Sequence, residues 1–231
     1  MLSALFKRTP PPRRTTSRLT SGLAAAGATA ALYSLAVRPW QRRWGATRAE
    51  AHRPLPGDAL VPRPDYETTR AITIDAPAEA VWPWIVQLGQ GRGGFYSYDW
   101  LENLFGLDIH SADRIEPDWQ TIERGDAVRM APPDRFNGAG RMDVALVEGE
   151  RALVLRSPAE APPDRAASWA FVLAPVDDTA TRLLVRLRLR APLAMRLMLD
   201  PAHFIMERKM LYGMKRRAEQ SASPALSDAE H

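Results

Sequence analysis

The sequence predicts an α+β domain with an antiparallel sheet of about six to seven strands and a long C-terminal helix. Residues 66–190 contain short alternating, β-branched stretches separated by Gly-, Pro- and Asp-containing turns, which is typical of strands joined by hairpins. Residues 200–219 carry a helical pattern that opens on Asp200-Pro201, an N-cap followed by proline. Leu19–Val37 contains no charged residue, so it predicts a separate hydrophobic helix before the domain.

Composition places the chain among globular proteins, because 45% of its 231 residues are apolar and 25% are charged. Residues 1–53 hold ten of the 31 Lys and Arg but only one acid, Glu50, which leaves 21 basic and 26 acidic residues, or −5, for the rest. A nucleic-acid-binding domain needs its basic residues on the folded part, so we expect no nucleic-acid partner. The chain contains no cysteine, which excludes disulfides, thiolate metal sites and a cysteine nucleophile.

The strand and helix patterns follow one another in a definite order. Tyr66–Ile74 predicts the first strand, and two short helices are expected over 80–88, after the helix start at Asp75–Glu79, and over 97–105. In Thr181–Arg190 the leucines and Val185 alternate with arginines, so we expect one face in the core and the arginine face in water. The other predicted strands are 127–131, 141–147, 152–156 and 168–174.

These patterns divide the chain into five segments. Residues 1–18 are predicted to be a flexible basic tail, 38–64 a basic and Pro-rich linker, 65–220 the domain and 221–231 a disordered tail. Residues 19–37 are long and apolar enough to predict a membrane anchor. A signal peptide cleaved near Ser34-Leu35-Ala36 and an Ala-rich helix packed on the domain are the alternatives.

The stretch Gly89–Gly94 reads GQGRGG and matches the pattern of a dinucleotide-binding turn. Such a turn requires a strand before it and a helix after it within a parallel βαβ unit. Here a helix precedes the glycines and the aromatic run FYSY follows them. We therefore interpret the stretch as a hinge between two short helices, and no cofactor is expected.

Four blocks carry a resemblance to a known family: ITIDAPAEAVWPWIVQLG (72–89), GGFYSYDWLENLFGLDIHSADRI (93–115), the Gly125-Asp126 turn and PAHFIMERKMLYGMKRRAE (201–219). With them the chain resembles the START/polyketide-cyclase superfamily (SRPBCC), over about residues 66–219. The resemblance implies a helix-grip fold, in which the sheet curves around the C-terminal helix and leaves an apolar cavity between them. GGFYSYDWLEN resembles a narrower bacterial branch that often has a hydrophobic N-terminal segment.

The predicted ligand-binding residues fall in three groups. Phe95, Tyr96, Tyr98 and Trp100 form an aromatic cluster at the expected cavity mouth, either as a lid over a ligand or as a packed plug. Arg92 is expected either to meet an anionic head group or to remain solvated. The third group shares one helix face by its spacing of four residues and either lines the pocket or fills the core: Met206, Met210 and Met214.

His110, Asp99 and Tyr98 are the candidate catalytic residues, since histidine beside carboxylates suits general acid–base chemistry. Asp99 is equally suited to capping the second helix. His110 and Asp113 are too few ligands for a metal site, and none is expected. His203 is expected to face solvent or to cap the C-terminal helix.

The leading functional hypothesis is binding of a hydrophobic small molecule or lipid in the internal cavity, by a protein attached to a membrane through residues 19–37. The alternative is a cyclase-like or dehydratase-like enzyme acting on an aromatic or polyketide-type substrate. A structural membrane-associated domain is the third possibility.

Overall fold

The computed structural model describes residues 27–29, 31–135 and 140–228, with side chains to Ser223. The helices are α1 (Arg38–Arg42), α2 (Arg48–His52), α3 (Ala78–Val86), α4 (Asp99–Leu104) and α5 (Leu193–Asp228). The strands are β1 (Tyr66–Ile74), β2 (Ala127–Arg129), β3 (Arg141–Glu148), β4 (Ala152–Arg156), β5 (Ala167–Pro175) and β6 (Thr181–Leu189). A π-helical turn, Tyr33–Val37, precedes α1, and 3-10 turns lie at Asp58–Leu60, Pro117–Trp119 and Pro163–Arg165.

The six strands form one antiparallel sheet in the order β1-β6-β5-β4-β3-β2. Strands β2 to β6 follow one another in space as they do in sequence, each antiparallel to the next. Strand β1 breaks this order by pairing along its whole length with β6, from Tyr66 opposite Leu189 to Ile74 opposite Thr181. The predicted helix-grip fold is therefore confirmed, with six strands.

The main core lies between one face of the sheet and the helices α3 and α5. Period-two alternation sends Ile74, Phe171 and Val185 to this face. Helix α5 contributes Met210 and Met214 to the same core. The long helix therefore lies along the concave face of the sheet. The opposite face is left to another part of the chain.

The prediction that the arginines of β6 face water is wrong. The Arg186 side chain is 3% exposed and donates to Asp58 Oδ2 at 2.7 Å and to Thr69 Oγ1 at 2.8 Å. Residues 45–62, which we call the strap, lie over this face and accept hydrogen bonds from Arg182, Arg186 and Arg188 through carboxylates and backbone carbonyls. Arginine is stable there because the strap satisfies its donors. The predicted linker of residues 38–64 thus includes chain that packs on the sheet.

Helix α5 begins at Leu193, so the predicted start at Asp200 is wrong. Its first turn opens at Pro192, whose carbonyl accepts from the Arg196 amide at 3.1 Å. Asp200 lies inside the helix, buried, where Arg42 donates to both of its carboxylate oxygens at 2.9 and 3.1 Å. The helix continues to Asp228, past the end expected near residue 219 and through part of the predicted tail, 221–231.

Residues from Trp40 onward form one compact unit, and the residues before it belong to another. The predicted basic tail, 1–18, lies outside the described residues, as do residues 19–26 and 30 of the apolar stretch 19–37 and the last three residues of the chain. Within the described ranges, no helix has both the length and the apolar character needed to cross a membrane.

Candidate functional site

A cavity of about 470 Å³ lies between the sheet and α5. Its walls come from the aromatic run before α4, from strands β5 and β6, and from the first half of α5. Four polar residues line it, namely Ser97, Glu102, His203 and Glu207. Apolar side chains supply most of the surface, among them Phe95, Leu107, Met130, Trp169, Met206 and Met210.

A buried ion pair lies at the wall between α5 and β1. Arg70 Nη1 donates to Glu207 Oε2, and the two side chains are 0% and 1% exposed. Arg70 Nε also donates to the Gln41 carbonyl at 2.8 Å, and its guanidinium stacks on the Phe204 ring at 5.4 Å. Period-two alternation points Arg70 toward the helix, on the same face of β1 as Tyr66 and Ile74.

His203 lies one helical turn before Glu207 and contacts both members of the ion pair. Its Nδ1 is 2.9 Å from Arg70 Nη1, and its Nε2 is 3.3 Å from Glu207 Oε1. A guanidinium can only donate, so Nδ1 accepts, and we assign the imidazole proton to Nε2, which donates to Glu207. Trp169 Nε1 donates to the same carboxylate oxygen at 3.1 Å.

These neighbours decide the ionisation of the cluster. Burial raises the pKa of Glu207, but His203 and Arg70 outweigh burial and lower that pKa to about 2. Tyr66, whose ring lies 6.3 Å from that of His203, has its pKa raised by burial to about 12. The cavity wall therefore carries an ionised Glu207, and the buried Tyr66 phenol near His203 stays neutral.

Glu102 is a second carboxyl on the cavity wall, and its pKa is shifted in the opposite direction to that of Glu207. It is 8% exposed, and its Oε2 has no hydrogen-bond partner within the described part of the chain. Burial, and secondarily the charge of Asp99, raises the pKa of Glu102 to about 7. Helix α4 directs Glu102 inward while Trp100 and Leu104 remain exposed.

Of the predicted ligand-binding residues, Phe95, Met206 and Met210 line the cavity. Met214 is fully buried in the main core and does not line the cavity. The methionine face therefore divides along the helix, with its N-terminal members at the cavity and its last member in the core.

Tyr96, Tyr98 and Trp100 lie outside this cavity, around a separate and more polar depression. Tyr96 is 1% exposed and donates from its hydroxyl to the Trp84 carbonyl at 3.0 Å, so it packs as part of the core. Tyr98 lies under the Lys209 ammonium at 5.7 Å, and Trp100 is 69% exposed.

Arg92 holds the glycine loop in place. Its guanidinium donates to the Trp119 carbonyl at 2.5 Å and to the Val86 carbonyl at 3.2 Å. Gly89 and Gly94 hydrogen-bond each other in both directions at 3.0 Å, which closes the loop on itself. The Arg92 side chain is therefore engaged with backbone, and it does not line the cavity.

None of the three candidate catalytic residues lines the cavity. Asp99 accepts from the amide and hydroxyl of Ser111 at 2.7 and 2.6 Å, so it fixes the loop that follows α4. The His110 side chain is 78% exposed and lies 3.2 Å from Asp108. Tyr98 faces the polar depression. The structure brings none of them within hydrogen-bond reach of another.

Sequence reasoning missed the polar residues that do line the cavity. His203 was expected toward solvent or as a cap, which is wrong, because its side chain is 16% exposed and faces the cavity inside α5. Two signals were available: the four-residue spacing of His203 and Glu207, and an arginine at position 70 on the inward-facing side of a strand.

No group of three His, Asp or Glu among the described residues is placed to hold a metal ion.

No family model and no curated protein matches the chain. Solved structures with a similar arrangement include protein NE0264 of Nitrosomonas europaea, 14% identical, covering 72% of this chain and 99% of that chain, with a TM-score of 0.43. A norcoclaurine synthase point mutant from Thalictrum flavum is 12% identical and covers 69% and 95%, with a TM-score of 0.38.

A Thermobifida fusca protein solved by NMR is 11% identical over 67% of this chain and 94% of that chain, with a TM-score of 0.45. Because these identities are below 25% and these TM-scores below 0.5, none of the three bears on what this chain binds. The bacterial branch with a hydrophobic N-terminal segment stays a prediction.

Proposed function

We propose that this protein binds a largely apolar small molecule in the cavity between the sheet and α5. The observation that carries the proposal is the cavity itself, about 470 Å³ and walled mostly by apolar side chains. Small-molecule sites are typically about 300–1,000 Å³ with a few polar groups that orient the ligand. Met206 and Met210 suit such a wall, because unbranched thioether side chains adapt to ligand shape.

A fluorescence binding assay tests this function in the full chain. N-Phenyl-1-naphthylamine is a neutral apolar probe whose emission rises when it leaves water. Ala202→Trp places a large ring at the cavity wall, so we expect it to reduce probe binding at least about tenfold. Ala194→Trp is the matched control, because Ala194 is exposed on the same helix and does not line the cavity.

Equal probe binding by both tryptophan variants and the parent chain would place the probe elsewhere and refute the cavity as the binding site. Circular dichroism of each variant separates lost binding from lost structure. Native mass spectrometry of the purified chain gives a second reading, since a bound apolar ligand adds a defined mass that Ala202→Trp should remove.

An acid–base enzyme acting on an apolar carbonyl compound is the second candidate. One observation favours it: Glu102 and Glu207 line one cavity while their pKa values are moved in opposite directions, to about 7 and about 2. The polar partners of Glu207 hold it as a fixed charge, which leaves Glu102 as the proton-transferring group. Deuterium incorporation next to the carbonyl of an aryl ketone, followed by NMR and abolished in Glu102→Gln, would support this candidate; no incorporation above the buffer rate would reject it.

We also propose that residues 19–37 attach the protein to a membrane. The support is the uncharged sequence Leu19–Val37, with Trp40 and Trp44 beside basic residues just after it. The full chain should sediment with membranes after carbonate extraction. Leu23→Asp combined with Ala30→Asp should release it, and release of the unaltered chain would contradict the attachment.

A further inference from the structure

We propose that the ligand carries a hydrogen-bond donor at one end, a hydroxyl or a protonated amine, and that Glu102 receives it. This inference rests on the proposed function and deepens it by naming the polar end of the ligand. It also predicts what the cavity rejects, namely apolar molecules that end in a carboxylate or a phosphate.

Glu102 is the acceptor that the cavity leaves open. Its carboxyl lines the cavity, is 8% exposed, and has an oxygen that no donor of the described residues reaches. A buried carboxyl without a partner is destabilising unless a ligand donates to it or a proton neutralises it. A ligand donor at this position supplies the missing hydrogen bond.

The other polar groups of the wall are already engaged. Glu207 accepts from Arg70 and Trp169 and lies against His203. The Ser97 hydroxyl donates to the Met206 carbonyl at 2.9 Å. Tyr66 and Arg70 also hold buried atoms without partners, but neither residue lines the cavity. A ligand that enters therefore finds its open acceptor at Glu102.

Charge around Glu102 favours a donor and disfavours an anion. No Lys or Arg of the described chain lines the cavity. Glu207 is balanced by Arg70, while Asp99 adds negative charge beside Glu102. The nearby cations lie outside the cavity: Lys209 stacks on Tyr98, and the Arg135 guanidinium lies against Gly106. An anionic head group would therefore be desolvated without a partner, which is costly.

The protonation of Glu102 sets the expected pH dependence. Because burial and Asp99 raise the pKa of Glu102 to about 7, its carboxyl is largely neutral at pH 6 and largely ionised at pH 8. A neutral hydroxyl finds an acceptor oxygen at both pH values. An alkylamine remains protonated at both and gains a charged partner only at the higher pH, so its affinity should rise between them.

The experiment uses one alkyl chain with three head groups. Decylamine, decanol and decanoate compete with N-phenyl-1-naphthylamine for the full chain at pH 6 and pH 8, below their micellar concentrations. We compare the parent chain with Glu102→Gln. Glu79→Gln is the control, because Glu79 is exposed on α3 and does not line the cavity.

At pH 8 we expect decylamine and decanol to displace the probe at least about tenfold better than decanoate, because each donates to the ionised Glu102 carboxylate, whereas decanoate would bury an unpaired charge. Decylamine should gain on decanol from pH 6 to pH 8. Glu102→Gln should abolish that gain and still bind the probe. Glu79→Gln should show the same gain as the parent chain.

Two results overturn the inference while leaving the cavity function intact: decanoate competing as well as decylamine, or a gain of decylamine on decanol from pH 6 to pH 8 that survives in Glu102→Gln. Failure of the probe to bind the parent chain at all is a different outcome. It overturns the proposed function, and the head-group inference with it.

Discussion

Arg70 of β1 and Glu207 of α5 form an ion pair in which neither side chain is more than 1% exposed. They are 137 residues apart in sequence, and their contact links the edge of the sheet to the helix that lies across it. His203 and Trp169 complete the hydrogen bonding of the carboxylate. The cavity wall is therefore built around a charge pair that is fully removed from water.

Breaking this pair should destabilise the fold strongly. Removing one member leaves the other charge buried without compensation, which costs about 3–5 kcal/mol. We expect losses of this size for Arg70→Met and for Glu207→Leu separately, and a smaller loss for the double variant, because it buries no unpaired charge. Urea unfolding gives the free energies. Arg141→Met, which breaks an exposed pair with Glu160, is the control and should cost about 0–1 kcal/mol.

If the double variant lost as much as the two single variants together, the pair would not be coupled and this account would be wrong. The lowered pKa of Glu207 gives an independent check. The carboxyl loses its proton near pH 4.5 when unfolded and near pH 2 when folded, so its stabilising contribution is present above pH 4.5 and disappears as the pH falls toward 2.

Glu102 should give the opposite pH dependence. Its folded pKa is about 7 against 4.5 for the unfolded side chain, so the folded state binds the extra proton between these values. Stability should therefore fall as pH rises from 4.5 to 7, and Glu102→Gln should remove that fall. At pH 8 the variant should be more stable by about 1–3 kcal/mol. Equal slopes of unfolding free energy against pH in both proteins would contradict the raised pKa.

Gly213 should resist replacement by alanine, although alanine normally stabilises a helix. A Cβ at this position would lie 2.7 Å from the Tyr96 Cβ and still closer to the Tyr96 carbonyl oxygen. Tyr96 is buried and its close atoms include backbone atoms, so it cannot easily move aside. We therefore expect Gly213→Ala to lower the free energy of unfolding by about 1–3 kcal/mol. Thermal unfolding measures it. Gly149→Ala, which meets open space, should change stability by less than about 1 kcal/mol, and a stabilised Gly213→Ala would refute the close approach.

Arg186 should hold the strap on the sheet. Arg186→Leu removes donors to Asp58, to Thr69 and to three backbone carbonyls, of Glu50, Ala51 and Arg53. We expect faster amide exchange in residues 45–62 and a loss of about 2–4 kcal/mol. Arg190→Leu, at an exposed position just after the end of β6, is the control. Unchanged exchange in the strap of Arg186→Leu would show that other contacts hold it.

Local patterns predicted the strands well because period-two alternation and β-branched residues act over a few neighbours. The bounds expected for β1 and for β4 coincide with those observed, and the arrangement of hairpins followed from the turns between them. The same locality failed at α5, where Asp200-Pro201 has the form of a helix start but lies inside a helix that opens at Pro192. Asp200 does not cap a helix, because its carboxylate pairs with the distant cation Arg42.

The sequence by itself determined the fold class, through the order of its strand and helix patterns, and the shared helix face of Met206, Met210 and Met214, through their spacing of four residues. Only the tertiary structure decided that Arg186 is buried beneath the strap, that Arg70 meets Glu207, and that Glu102 faces the cavity without a partner. A charged residue in a strand or a short helix has the same sequence neighbours whether its side chain faces solvent or pairs with a distant carboxylate, so local patterns do not distinguish the two cases. The pairing of β1 with β6 and the course of α5 across the sheet supply that missing partner, and they place the polar end of the cavity.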